Sequence, residues 1–468
     1  MRTTAPGRVI TRERARSAAL PAAGWAWTRA VLLMFTYNVI PYISHGDIVG
    51  DVKTYNRWSQ VFAQGHFPQG DPQWQYPPGA ALVIVLPRLV RSATGLSYYT
   101  TFYAMAFAAD LITFLLVLYR CWHTAERRRG ADSADYDNSA DHDNRADYTG
   151  AWAYIAAIFM LGPIVFGRYD IIVTMTAAVA LVVALGGATG TWRARGAAIG
   201  AGALLKIWPA ALVLGLPKGV DGRRALRWAV LGAAVPFALM AFLPGSLAFL
   251  TGQQDRGLEI ESVLATPFLI AQRFGYPGVI RHQYGSFEIT GPWIAEIATF
   301  CELLTLAGFV WLLWWRARAD LVPGRWSTGL YYDAALVAVL IAIVTSRVLS
   351  PQYLVWVVAL IALCLTLAPL GRGGTVLAGP CWLLLAAISV TQVEFPLLFP
   401  RLIHGGRFAA WFVTGRNLLL VAATLWAARS LWRAVTPSPP PAAQDEPVTP
   451  LAVPRHDPAR SGRPTARA

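Results

Sequence analysis

The chain has 468 residues, 55% hydrophobic and 14% charged, with mean hydropathy +0.44. Soluble domains carry about 25% charged residues, so this composition excludes an ordinary water-soluble fold and predicts an all-α polytopic membrane protein. The formal net charge of +14 does not point to nucleic acid, because the basic residues sit at the ends of apolar segments, where they orient helices and meet anionic headgroups.

Residues 1–24 carry Arg2, Arg8, Arg12, Arg14 and Arg16 with no cleavable apolar segment, and are predicted to form a basic cytoplasmic N-terminus. A membrane domain over 25–432 follows. Its apolar segments are 25–44, 99–119, 151–167, 170–187, 225–244, 293–315, 328–346, 353–370, 376–393 and 408–432. A stretch near 20 residues covers a hydrocarbon core of about 30 Å. Two further segments, 79–94 and 196–217, are ambiguous.

The charges decide between the topologies. If both ambiguous segments enter and leave on one side, 26 of the 40 Lys and Arg fall on the cytoplasmic side. They include Arg120–Arg129, Lys218–Arg227, Arg316–Arg325 and the tail from Arg429 onward. A single crossing at 196–217 would send Lys218–Arg227 outward, and one at 79–94 would export Arg127, Arg128 and Arg129, both against the positive-inside rule. Residues 79–94 are therefore predicted to be an outer-face hairpin, and 196–217 two half-helices with Lys206 near their outer turn. A charge at mid-bilayer costs about 2.5–3.5 kcal/mol, so Lys206 reads as functional, with snorkelling to an interface as the plainer alternative.

Both termini then lie in the cytoplasm, and 45–98, 245–292 and 394–407 face outward. The first two are too long for passive connectors. Residues 131–149 form an Asp-rich low-complexity loop, whose spacing lacks the central Gly and terminal Glu of a calcium loop. The Pro- and Ala-rich tail, 436–468, is predicted to be disordered and cytoplasmic. Cys121, Cys301, Cys364 and Cys381 form neither a metal spacing nor a disulfide framework and read as packing residues. No metal or cofactor is predicted.

The first outer loop opens Gly46-Asp47-Ile48-Val49-Gly50-Asp51, and Val52, Tyr55, Trp58, Val61 and Phe62 then repeat at helical spacing. This predicts an amphipathic helix on the membrane surface with Asp51 at its amino end, where the carboxylate caps the helix or does chemistry. Further on, Gln75-Tyr76-Pro77-Pro78-Gly79 fixes an extended turn.

Here the sequence resembles glycosyltransferase family 87, membrane enzymes that use a polyprenyl-phosphate sugar, typically mannose. The resemblance rests on Asp51-x-x-x-Tyr55 and Tyr76-Pro77-Pro78, then Gly167-Arg168-Tyr169-Asp170 and Lys206-Ile207-Trp208-Pro209. It continues through Glu259-Ile260-Glu261-Ser262, Ser346-Arg347-Val348-Leu349-Ser350-Pro351-Gln352-Tyr353-Leu354-Val355-Trp356, Thr391-Gln392, Phe395-Pro396 and Arg416-Asn417. Gly65-His66-Phe67-Pro68 departs from the Pro-Tyr or Leu-Tyr pair of many members, which bears on acceptor identity.

The resemblance implies a C-class glycosyltransferase bundle of about 10–12 transmembrane helices, with short broken helices and outward-facing catalytic loops. The implied partners are a polyprenyl-phosphate sugar donor, a glycolipid or envelope glycan acceptor and membrane lipids. Asp51 is implied as the catalytic base, with Asp47 as rival, a role worth about 10²–10⁴-fold. Lys206 and Arg347 would hold the donor phosphate. Tyr55, Gln75, Tyr76, Asp170, Glu261, Gln352 and Tyr353 are further pocket candidates. Inversion would turn a β-linked donor into an α-linked product. The competing classes are a secondary transporter or lipid-linked sugar flippase, for which broken helices are also typical, and an oligosaccharide ligase or polymerase.

Overall fold

The computed structural model describes residues 6–132, 147–183, 189–252, 256–320, 326–371 and 373–436. The expected low-complexity loop and C-terminal tail fall almost wholly outside this set.

Among the described residues, eight stretches are long and apolar enough to cross a bilayer: Ser17–Thr36, Tyr98–Ala125, Val220–Ala241, Ile294–Ala319, Thr328–Thr345, Pro351–Leu370, Ala378–Ile403 and Arg407–Ala434. The helices that carry them, with their shorter neighbours, run in chain order. They are α1 (Pro6–Thr36), α2 (His45–Phe62), α3 (Ala80–Thr94), α4 (Tyr98–Asp132), α5 (Thr149–Leu161), α6 (Asp170–Val182), α7 (Thr189–Leu205) and α8 (Val220–Ala241). After them come α9 (Thr266–Ala271), α10 (Ile294–Asp320), α11 (Thr328–Thr345), α12 (Val355–Leu365), α13 (Ala378–Gln392), α14 (Phe399–Ile403) and α15 (Arg407–Ala434). Every residue of α12 is buried, whereas α8 and α10 present Leu231, Leu239, Leu303, Leu306 and Trp314 outward, as helices facing acyl chains must.

Charges within the bundle are satisfied by partners. Arg29 of α1 grips Asp110 of α4 at 2.9 and 3.0 Å, and Trp25 and Tyr154 donate to the same carboxylate at 2.9 and 2.8 Å. This network ties α1, α4 and α5 together where an unpaired charge would be costly. The four cysteines are all buried and unpaired with one another.

Of the two ambiguous segments, the first differs from expectation and the second turns where it was expected to. Residues 80–94 form one continuous helix, not a hairpin: Ala80-Ala81-Leu82-Val83-Ile84-Val85-Leu86 contains no turn residue, and the helix passes through Pro87 to end at Gly95, whose φ of 75° closes it. At 15 residues this helix is about 22 Å long, short of a full crossing. The second segment breaks at Lys206, where α7 stops and a 3₁₀ stretch, Trp208–Gly215, begins at Pro209. Gly196 packs on Ala225, and Gly200 on Ala229 and Ala233, so α7 and α8 run parallel. The chain therefore returns between them through the 3₁₀ stretch, and residues 196–217 make no net crossing.

The segments at 151–167 and 170–187 become the short helices α5 and α6, of 13 residues each, joined by a 3₁₀ turn at Gly162–Val165. The long loop after α8 holds a feature the composition does not announce, a three-stranded antiparallel sheet of order β1-β3-β2. Its strands are β1 (Leu258–Glu259), β2 (Val279–Gln283) and β3 (Ser286–Thr290). The β2–β3 hairpin turns at Tyr284 and Gly285 with φ of 52° and 76°, the two positive values that a type I′ turn requires.

Candidate active site

The interruptions of the helices converge on one cavity. The turn between α5 and α6, the break at Lys206 and the 3₁₀ turn Pro351–Leu354 before α12 all line it, as do α2 and the strand region. Irregular backbone at membrane depth is tolerated only where it is buried in protein or lines such a space. The cavity measures about 420 Å³.

Two glycines let its walls approach. A Cβ at Gly167 would lie 2.4 Å from the Ile48 carbonyl oxygen, so only glycine allows the α5–α6 turn to rest against α2. That approach brings Arg168 onto Asp51, and the two form an ion pair with side-chain exposures of 16% and 29%. A Cβ at Gly79 would lie 2.6 Å from the Leu204 carbonyl oxygen, and the bare glycine seats Tyr76-Pro77-Pro78 beside the Lys206 break.

Lys206 Nζ donates to Asp170 at 2.6 Å, and the Trp356 indole donates to the same oxygen. The ammonium lies 5.7, 5.5, 5.1 and 4.8 Å from the ring centres of Tyr76, Tyr169, Tyr353 and Trp356. Tyr353 stacks on Trp356 at 4.1 Å. A carboxylate and four ring faces compensate a desolvated cation, and they hold Lys206 on the wall that carries Arg168.

A second wall comes from the strand region. Arg256 pairs with Glu288 of β3, donates to Ser286, and donates to Gln75 Oε1 at 2.7 Å. Glu259 accepts from Ser350, and its backbone N–H donates to the Arg347 carbonyl at 3.0 Å. Burial pushes the Glu259 carboxyl above its usual range, against the opposing effects of Arg256 and Ser350. Glu261 is raised further, by burial first and then by the neighbouring charges of Glu394 and Glu259. Its backbone carbonyl accepts from Arg416 at 3.0 Å and from Asn417 at 3.2 Å, which explains why Arg416-Asn417 belongs to the same set of motifs. The indole nitrogen of Trp208, a lining residue, has no hydrogen-bond partner among the described residues.

Of the residues singled out in the sequence, Asp51, Tyr55, Gln75, Tyr76, Lys206, Glu261, Gln352 and Tyr353 line the cavity, with Asp170 directly behind Lys206. Asp47 lies on α2, and its side chain is outside the described residues. Arg347 does not fit its expected role. It is not among the residues lining the cavity, and its guanidinium donates to the Arg256 carbonyl and pairs with Glu302 of α10, both at 3.4 Å. The chain bends at Arg347 after α11, and Val348 and Ser350 line the cavity instead.

The cations that do line it are Arg168, Lys206 and Arg256, and Glu259 and His282 join them. Arg168 could have been found beside Asp170, where a charge inside an apolar segment is itself a signal. Glu259 stands in the same motif as Glu261, whereas Arg256 and His282 had no comparable signal, because nothing in an irregular loop marks which polar residues turn inward.

Paired charges, aromatic rings and extended backbone around one cavity, in a chain of many apolar helices, fit an enzyme that handles a polar group at the membrane, and residues 74–329 match a family of glycosyltransferases. The protein is a membrane glycosyltransferase. The chain belongs to glycosyltransferase family 87, whose matched stretch covers more than half of it. Asp51, Arg347, Gln352 and Tyr353 lie outside that stretch. No curated protein matches the chain. The crystal structure of ArnT from Cupriavidus metallidurans in the apo state is similar with a TM-score of 0.38 and 15% identity, over 88% of this chain and 78% of that one.

Proposed function

We propose that this glycosyltransferase, built as a C-class bundle, moves a hexose from a polyprenyl-phosphate donor to a lipid-linked or cell-envelope glycan acceptor on the non-cytoplasmic face. Mannose is the sugar the family resemblance implies. The observation that carries the reading is the ion-paired wall of the cavity, where Arg168 and Lys206, at two helix interruptions, pair with Asp51 of α2 and Asp170 at the start of α6.

In the proposed reaction an acceptor hydroxyl attacks the anomeric carbon. The new glycosidic bond forms as the bond to phosphate oxygen breaks, and polyprenyl phosphate leaves with the electron pair. Asp51 takes the hydroxyl proton. Lys206 stabilises the charge on the departing phosphate, and Arg168, which reaches both the cavity and Asp51, orients the base. Attack opposite the leaving group inverts the anomeric centre, so a β-linked donor gives an α-linked product. The partly exposed rings of Tyr76, Tyr284 and Phe287 line the cavity and suit a sugar ring. Glu259 and Glu261 have raised carboxyls and are weaker candidates for a base that must be ionised at neutral pH.

A polyprenyl donor also fits an outward site, which nucleotide sugars do not reach. The test is transfer by purified protein in detergent, with radiolabelled polyprenyl-phosphate mannose and an envelope lipid extract. A labelled glycolipid supports the reading. Transfer from a nucleotide sugar without any lipid donor, or movement of lipid-linked sugar across vesicles without covalent transfer, overturns it.

A further inference from the structure

A second concavity lies apart from the catalytic cavity, beyond α14. It is an open groove of about 820 Å³ between the α9 end of the large loop and the start of α15, and shares no lining residue with the cavity. Arg273, His404 and Arg407 line it, and among the described residues no carboxylate does. Arg273 is held across it by a hydrogen bond of 3.2 Å to the Gly405 carbonyl. The amino end of α15, a helix of 28 residues, opens at the same place, and its cap residue Gly406 offers no side chain to the first N–H groups. Cationic side chains beside the amino end of a long helix together favour an anion.

The rim is apolar and outward. Phe274 and Trp411 line the groove and are 84% and 57% exposed, and Phe408 beside them is 63% exposed. In water three such residues at one rim would be costly, whereas at a membrane surface aromatic rings anchor at headgroup level. The groove belongs to that level, because α15 is a membrane-spanning stretch whose first turn carries Arg407, Phe408 and Trp411.

We propose that this groove docks the phosphate headgroup of an anionic phospholipid, with Arg273 and Arg407 on the phosphate and Phe274 and Trp411 against the acyl chains. The site is separate from the donor phosphate position and does not depend on the proposed reaction. A bound lipid would fix α14 and the loop before α15, whose Phe399 lines the catalytic cavity.

Native mass spectrometry of the full chain, exchanged into detergent with defined phosphatidylglycerol or phosphatidylcholine, tests this. Wild type should retain phosphatidylglycerol over phosphatidylcholine. The double variant Arg273→Gln/Arg407→Gln should lose roughly tenfold or more of that preference, since each cation near an anionic surface is worth about fivefold. Arg281→Gln removes an exposed cation of β2 outside the groove and should change nothing. Equal retention by wild type and the double variant overturns the proposal, as does an equal loss in Arg281→Gln. Displacement of the lipid by millimolar inorganic phosphate would reduce the groove to a simple anion site. A dimer mass in wild type that is lost in the double variant would make it an interface between copies. A folded double variant is verified by an unchanged unfolding temperature, and Phe274→Ala/Trp411→Ala offers an independent route to weaker retention.

Discussion

Replacing Lys206 by Met separates a structural ion pair from a donor-binding cation. Lys206 Nζ and Asp170 lie 2.6 Å apart with side-chain exposures of 13% and 3%. Lys206→Met leaves Asp170 buried with only the Trp356 indole as a donor, and breaking such a pair costs about 3–5 kcal/mol. The single variant should therefore unfold at clearly lower temperature. Adding Asp170→Asn removes the orphaned charge while keeping an acceptor for Trp356, so Lys206→Met/Asp170→Asn should recover most of the lost stability. Transfer should not recover. A charge-assisted hydrogen bond to phosphate contributes about 1.5–3 kcal/mol, which raises the donor concentration needed for half-maximal rate by roughly ten- to a hundredfold. The assay is the rate against donor concentration at fixed acceptor, alongside thermal unfolding in the same detergent. A stable double variant with wild-type donor dependence would refute the phosphate role and leave a purely structural pair.

Arg347→Ala should change donor dependence by less than about threefold, since its partner Glu302 is 62% exposed and such pairs contribute about 0–1 kcal/mol; a large effect would return Arg347 to the site. Glu261 gives a pH signature. Its folded-state carboxyl is raised by burial and neighbouring carboxylates, so it stays protonated where the unfolded chain has released the proton. Its contribution is full below about pH 4.5 and is lost as pH rises through the raised folded value. The unfolding temperature of wild type should accordingly fall relative to Glu261→Gln across that window, and parallel curves would contradict the assignment. In a background lacking the four native cysteines, an impermeant maleimide should label Arg281→Cys from outside the cell and spare Arg223→Cys; the reverse would invert the topology.

The bundle was readable because membrane spans announce themselves by length and apolarity, and Arg-rich loops choose among topologies. The return of the chain at Lys206 was readable for the same reason, since a straight crossing would have placed Lys218–Arg227 on the wrong side. Charge counting could not distinguish a hairpin from a short helix at 80–94, because both leave Arg127–Arg129 where they are. At the site, Asp51, Tyr76, Lys206 and Tyr353 were found as members of motifs. Arg347 lies away from the cavity lining although Gln352 and Tyr353 line it, because sequence proximity does not say which way a side chain turns at a bend. Arg256 and its partner Glu288 are 32 residues apart and are joined by a sheet, a long-range contact that local pattern does not carry. The Arg29–Asp110 pair was likewise hidden, each charge alone resembling an ordinary interruption of an apolar helix.

The central claim is that Asp51 performs the chemistry of sugar transfer at the cavity beside Arg168 and Lys206. The most direct measurement is single-turnover transfer of labelled sugar from polyprenyl phosphate by purified wild type and Asp51→Asn, with donor binding measured on the same preparations. Donor binding should stay within about threefold of wild type, while transfer should be at least about a hundredfold slower in the variant. Near-normal transfer by Asp51→Asn would contradict it and give the proton to another group, with Asp47 the first to examine.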